Sequence, residues 1–105
     1  MRGKYRIEWL APAKHDLRKI VLYLLERAPL VALGVQEQFE QQLSALQEFP
    51  HIGQKNAFIP EILDFKIKGL PYIAVYKISP KDHLVEILSI LHERENRADL
   101  NNYRF

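Results

Sequence analysis

The sequence predicts a small α+β domain: an N-terminal strand, a two-helix hairpin, then three strands, in the order βααβββ. The hairpin packs on one face of a small antiparallel sheet. Three observations predict it. Apolar residues alternate at period two over Tyr5–Leu10, recur at spacings of three and four from Ala13 to Leu46, and return to strand-like runs from Phe65 onward. Prolines stand at the switches, at Pro12, Pro29, Pro50 and Pro80. The 105-residue length suits one domain spanning 1–105, and an amphipathic hairpin must bury its stripe against a sheet face.

Taken in order, Tyr5, Ile7 and Trp9 alternate with Arg6 and Glu8, the pattern of a half-buried strand. Pro12 suits the first turn of a helix over 12–27, with Ala11 a weak cap. Ala13, Leu17, Ile20, Val21, Leu24 and Ala28 form its apolar stripe. Ala28-Pro29 breaks the chain. A second helix over 30–48 places Ala32, Val35, Phe39, Leu43 and Leu46 on one face, despite Gly34, which costs about 1 kcal/mol relative to Ala. Residues 50–64 form a long connection of the kind that often carries function. Strands follow at 65–68, 72–78 and 84–91, joined by turns at Gly69 and at Ser79-Pro80-Lys81-Asp82. The last strand is nearly all apolar, which points to a central position. The expected core is Trp9, Leu17, Ile20, Leu24, Phe39, Leu43, Leu46, Ile87 and Leu91.

Composition narrows the function classes. Hydrophobic residues are 48% and charged residues 27%, an ordinary globular balance. There is no cysteine, which excludes disulfides, zinc thiolates, iron–sulfur clusters and thiol catalysis. The longest apolar run, Ile20–Leu25, is far short of the roughly twenty residues a membrane span needs. No signal-peptide core is present, and the chain reads as cytoplasmic. Fifteen Lys and Arg oppose 13 Asp and Glu, a net charge of only +2, so an anionic partner must be met by a local patch.

The four histidines, His15, His51, His83 and His92, share no metal-ligand spacing, and no phosphate-binding glycine loop or nucleophile elbow occurs. No metal or cofactor is expected. What remains is a polar set on the later strands. Lys66 and Lys68 alternate with Phe65 and Ile67 and should share a face. Tyr72 and Tyr76 share a face of the next strand. His92 and Arg94 follow the last strand, with Arg97 beyond. Such a set can bind a phosphate backbone and, with a base, promote attack by a ribose 2′-hydroxyl. Strand lysines also serve as solvated edge residues that oppose aggregation, and strand tyrosines as sheet packing. The residues alone leave both readings open. The expected arrangement gathers Lys66, Lys68, His92 and Arg94 on one side, away from the helices.

Ile7-Glu8-Trp9-Leu10-Ala11-Pro12-Ala13, followed by Asp16-Leu17, Ile20 and Tyr23, resembles the opening of the RelE/ParE toxins of bacterial type II toxin–antitoxin systems. Leu46 with Phe49-Pro50-His51-Ile52-Gly53 is similar to their punctuation after the second helix. Tyr72–Tyr76 and Val85–His92 resemble their last two strands. The resemblance spans about residues 5 to 97.

It implies a toxin neutralised by a cognate antitoxin in a toxin–antitoxin hetero-oligomer, with no membrane. The family divides by target. RelE-like members cut messenger RNA on the ribosome, and here Lys66, Lys68, Tyr72, His92 and Arg94 would be the catalytic set. Lys66 and Arg94 would stabilise transition-state charge and His92 would move a proton. ParE-like members lack that set and inhibit DNA gyrase. Across both branches the resemblance marks Lys66, His92, Arg94 and Arg97 as candidate target-binding residues, although for a gyrase inhibitor substitutions at Lys66 and Arg94 should matter little. A third possibility is an inactive toxin fold that only binds an antitoxin. Gln54 stands where an arginine often follows the loop glycine, Lys66 where an arginine is common, and Glu93 and Glu95 flank Arg94. These departures and the low net charge favour the ParE-like side, since a ribosome-bound nuclease works among RNA phosphates.

Overall fold

The computed structural model describes residues 4–94. Strand β1 (Arg6–Trp9) leads into helix α1 (Ala11–Arg27) and helix α2 (Pro29–Leu43), which continues as a 3₁₀ turn over Ser44–Gln47. Four strands follow: β2 (Gln54–Lys55), β3 (Leu63–Lys66), β4 (Tyr72–Ser79) and β5 (Leu84–His92). They form a five-stranded sheet in the order β1-β5-β4-β3-β2.

The expected meander is present as β3, β4 and β5, and two features extend it. First, β1 pairs with β5 in parallel, Arg6 against Leu84 through Trp9 against Ile87, so the sheet is mixed. β5 lies between β1 and β4, which explains its apolar sequence. Second, the long connection contributes β2, antiparallel to β3. β3 begins and ends two residues earlier than expected, so Lys68 lies outside it.

α1 is capped by Leu10 rather than Ala11, without a side-chain hydrogen bond, and Pro12 sits in its first turn. Ala28 both ends α1 and opens α2. Its N–H donates to the Leu24 carbonyl, and its carbonyl accepts from the N–H groups of Val31 and Ala32. α2 stops at Leu43, short of the expected end. The Ser44 hydroxyl donates to the Gln41 carbonyl at 2.6 Å, where the backbone tightens into the 3₁₀ turn.

The helix-covered core joins Ala13, Phe39, Leu43 and Leu46 to Tyr72, Ala74, Tyr76, Val85 and Ile87. Of the expected core, Phe39, Leu43, Leu46, Ile87 and Leu91 are buried. Trp9, Leu17, Ile20 and Leu24 are only half-buried. The opposite face has its own cluster, Ile62, Val75, Leu88 and Leu91, with Leu10 and Ile59 packed against it. A bulge adjusts the two faces. Val75 is opposite Ser89 but Tyr76 is opposite Ile87, so Leu88 is an extra residue and the side chains of β5 change face beyond it.

Two polar contacts fasten the layers. The buried Tyr76 hydroxyl donates to the Pro50 carbonyl at 2.7 Å and accepts from the Gly53 N–H at 2.9 Å. A Cβ on Gly53 would stand 2.5 Å from that hydroxyl oxygen and 2.9 Å from the Asp64 carbonyl, so only glycine fits there. Where β1 ends, β5 would be left with an unpaired edge. Asp16 of α1 reaches it, and its Oδ2 accepts from the Ile90 N–H at 3.0 Å and the Ser89 hydroxyl at 2.8 Å.

Candidate functional site

The sequence-predicted residues divide between the two faces. Lys66 ends β3 opposite Ile73, on the face away from the helices. Its ammonium donates to the carbonyls of Ile67 at 2.8 Å and Leu70 at 2.5 Å, and lies 3.6 Å from the Glu93 carboxylate. Ile73 and Leu91, paired across β4 and β5 beside it, are buried and apolar. Lys68 is tied to α2 instead. Its N–H donates to Gln42 Oε1 at 2.7 Å, and Gln42 Nε2 donates to its carbonyl at 2.9 Å.

Tyr72 and His92 are opposite one another on the helix-covered face. Their rings meet edge-on with centroids 5.4 Å apart, and Tyr72 also packs 6.0 Å from the Phe39 ring. Burial, and then the neighbouring Tyr23 hydroxyl, pushes the Tyr72 hydroxyl above its ordinary pKa. Both residues line a pocket of about 390 Å³ with Asp16, Lys19, Ile20 and Tyr23. The Arg94 N–H donates to His92 Nδ1 at 3.0 Å, while Arg94 itself is exposed. Arg97 lies outside the described residues.

The expected gathering of Lys66, Lys68, His92 and Arg94 on one side therefore does not occur. The early end of β3 removes Lys68 from the strand parity it was expected to share with Lys66. The bulge at Leu88 sends His92 to the helix side, while Glu93 reaches Lys66 on the other. Among the described residues, no group of three or more histidines, cysteines or carboxylates is placed to hold a metal ion. No described helix is long and apolar enough to cross a membrane.

A larger cleft lies beside the helix pair, where a docking groove is expected, but the sequence did not single out the residues that line it. It has a volume of about 520 Å³ and opens between α1, α2 and β1. Ile7 and Trp9 of β1, with Leu17, Val21 and Leu22 of α1, give it apolar walls; Lys14, Arg18, Glu8 and Glu40 also line it. None of these four charges makes an ion pair among the described residues. β1 is also an end strand of the sheet. The available signal was the flank of the α1 wheel, where Lys14, Arg18 and Val21 recur at helical spacing, but such charges usually mark a solvated face.

Residues 7–97 match the family model described as the ParE toxin of the type II toxin–antitoxin system parDE. No curated protein sequence gives a significant match. Among solved structures, the fold is similar to a chain of the chromosomal ParDE system from P. aeruginosa, with a TM-score of 0.74 at 19% identity over 85% of this chain and 96% of that one. It is similar to the isolated E. coli RelE toxin, with a TM-score of 0.64 at 19% identity over 92% and 93% of the two chains. A chain of the RelBE2 toxin–antitoxin complex from Mycobacterium tuberculosis gives a TM-score of 0.60 at 21% identity over 90% and 98%.

Proposed function

The chain belongs to the ParE toxin family of type II toxin–antitoxin systems, and from that premise we propose that it inhibits DNA gyrase and is neutralised by a cognate antitoxin, without cutting messenger RNA. The observation that carries this reading is the state of Lys66. An ammonium that is to stabilise a transition-state phosphate must aim its donors at the oxygens where charge develops. Here it donates to two backbone carbonyls and faces Glu93, while its strand neighbours are apolar. Tyr72 and His92, which a nuclease would need beside it, are on the other face.

The antitoxin is assigned to the cleft between α1, α2 and β1. Its apolar walls suit a segment with an apolar face, and Lys14 and Arg18 suit acidic residues on it. The neighbouring structures include E. coli RelE with an antitoxin peptide, which supports a peptide segment as partner. Expression without the antitoxin tests the target. Filamentation and DNA damage are the expected result. An immediate stop in translation with cleaved messenger RNA would support the ribosome-dependent nuclease instead.

A further inference from the structure

Helix α1 presents a different surface on each flank. The cleft assigned to the antitoxin takes Lys14, Leu17, Arg18, Val21 and Leu22 from it. The pocket of about 390 Å³ beside Tyr72 takes Asp16, Lys19, Ile20 and Tyr23. At about 3.6 residues per turn the two sets fall on opposite sides of the helix, and they share no residue. The most buried polar side chain lining the smaller pocket is Tyr72, only 7% exposed. Its ring is held between Phe39 and His92, but its hydroxyl makes no hydrogen bond among the described residues. Tyr76 on the same strand shows the alternative, with a hydroxyl that both donates and accepts within the chain. A buried hydroxyl left without a partner at the wall of a cavity points to something that enters the cavity.

The chemistry of the walls selects the occupant. Burial and the nearby Tyr23 hydroxyl raise the pKa of Tyr72, so it keeps its proton at neutral pH and can donate it in a hydrogen bond. The Tyr23 hydroxyl and the Lys19 ammonium add further donors. The carboxylate in the walls is Asp16, and its Oδ2 is already taken by the Ser89 hydroxyl and the Ile90 N–H, which hold it to the edge of β5. Ile20 and Ile90 supply apolar surface beside these groups. Donors therefore outnumber acceptors, one donor is a cation, and the volume is in the range of small-molecule sites. That combination suits an oxyanion carried on a small apolar body.

We propose that this pocket binds a small aromatic carboxylate or phosphate monoester, whose oxyanion accepts from Tyr72, Tyr23 and Lys19 while its ring rests against Ile20 and Ile90. The site depends neither on the target nor on the antitoxin assignment, because it is on the other flank of α1 and away from Lys66.

Nuclear magnetic resonance titration of the full chain tests it, with benzoate and phenyl phosphate as probes and benzyl alcohol and inorganic phosphate as controls. The expected result is saturable shifts at the amides of Lys19, Tyr23, Tyr72 and Ile90, with a dissociation constant of about 1 mM for the tighter probe. Which probe is tighter tells a carboxylate site from a phosphate site. Each control lacks one half of the ligand and should bind roughly tenfold more weakly or less. Tyr72→Phe should weaken the tighter probe roughly tenfold and leave the melting temperature unchanged, since the hydroxyl has no bond within the chain to lose. A merely structural tyrosine would not separate those two readouts. Unmoved amides at about 20 mM of either probe would overturn the proposal and leave a pocket that holds only water. So would benzyl alcohol binding as tightly as both probes, or a Tyr72→Phe variant that binds them like the parent.

Discussion

His92 and Glu93 are consecutive, yet they belong to different surfaces. His92 packs edge-on against Tyr72 under the helices. Glu93 reaches Lys66 on the opposite face, and its N–H extends the ladder to the Pro71 carbonyl at 2.8 Å. The covered face holds its groups by burial and by hydrogen bonds between distant segments. At Lys66 the other face uses an exposed ion pair, which is worth little in stability. The sheet itself thus parts Lys66 from Tyr72 and His92, so counting such residues in the sequence says little about activity.

Substitutions can test how different the two faces are, and the largest effect is expected where the covered face locks the long connection. Gly53→Ala should cost about 3 kcal/mol or more in denaturant unfolding, because its Cβ would collide with the Tyr76 ring and the Asp64 backbone. Leu43→Ala, on the buried face of α2, should cost about 2–5 kcal/mol. A loss below about 0.5 kcal/mol would show that this helix face is not packed.

Asp16→Ala removes the acceptor at the edge of β5 and should cost about 1–3 kcal/mol, with faster amide exchange at Ile90. Tyr76→Phe should fall in the same range. It also carries a pH signature. Burial raises the Tyr76 hydroxyl above its ordinary pKa of 10.0, the Gly53 N–H lowers it, and Asp64 raises it again, for a net rise. A group that binds its proton more tightly when folded contributes stability that is whole below pH about 10 and lost as pH rises through the folded value. Alkaline melts of the parent should therefore decline more steeply above pH about 10 than those of Tyr76→Phe. The smallest effect is expected on the other face. Lys66→Ala should change stability by less than about 1 kcal/mol.

Much of the fold was legible because its signals are local. The stripe through Phe39, Leu43 and Leu46 has a helical period, and the apolar run from Leu84 to Leu91 marks a central strand. The parallel pairing of β1 with β5 was not legible, because the partner lies some eighty positions away and only tertiary packing selects it. β2 is too short to show a period. For the candidate site, strand parity put Lys66 on the face away from the helices, but the strand-end position of His92 did not reveal its face, because a single extra residue at Leu88 reverses every side chain after it. The contact between Tyr76 and Gly53 joins residues from separate elements, and neither identity announces the other.

The proposed gyrase reading requires that toxicity not pass through Lys66 and its neighbours. It is tested most directly by the Lys66→Ala, Arg94→Ala double variant, expressed without antitoxin beside the parent chain. Undiminished toxicity is expected, with the same filamentation and an intact messenger RNA pool. Loss of toxicity by orders of magnitude in a variant that still folds would contradict it and return the basic residues to a catalytic role.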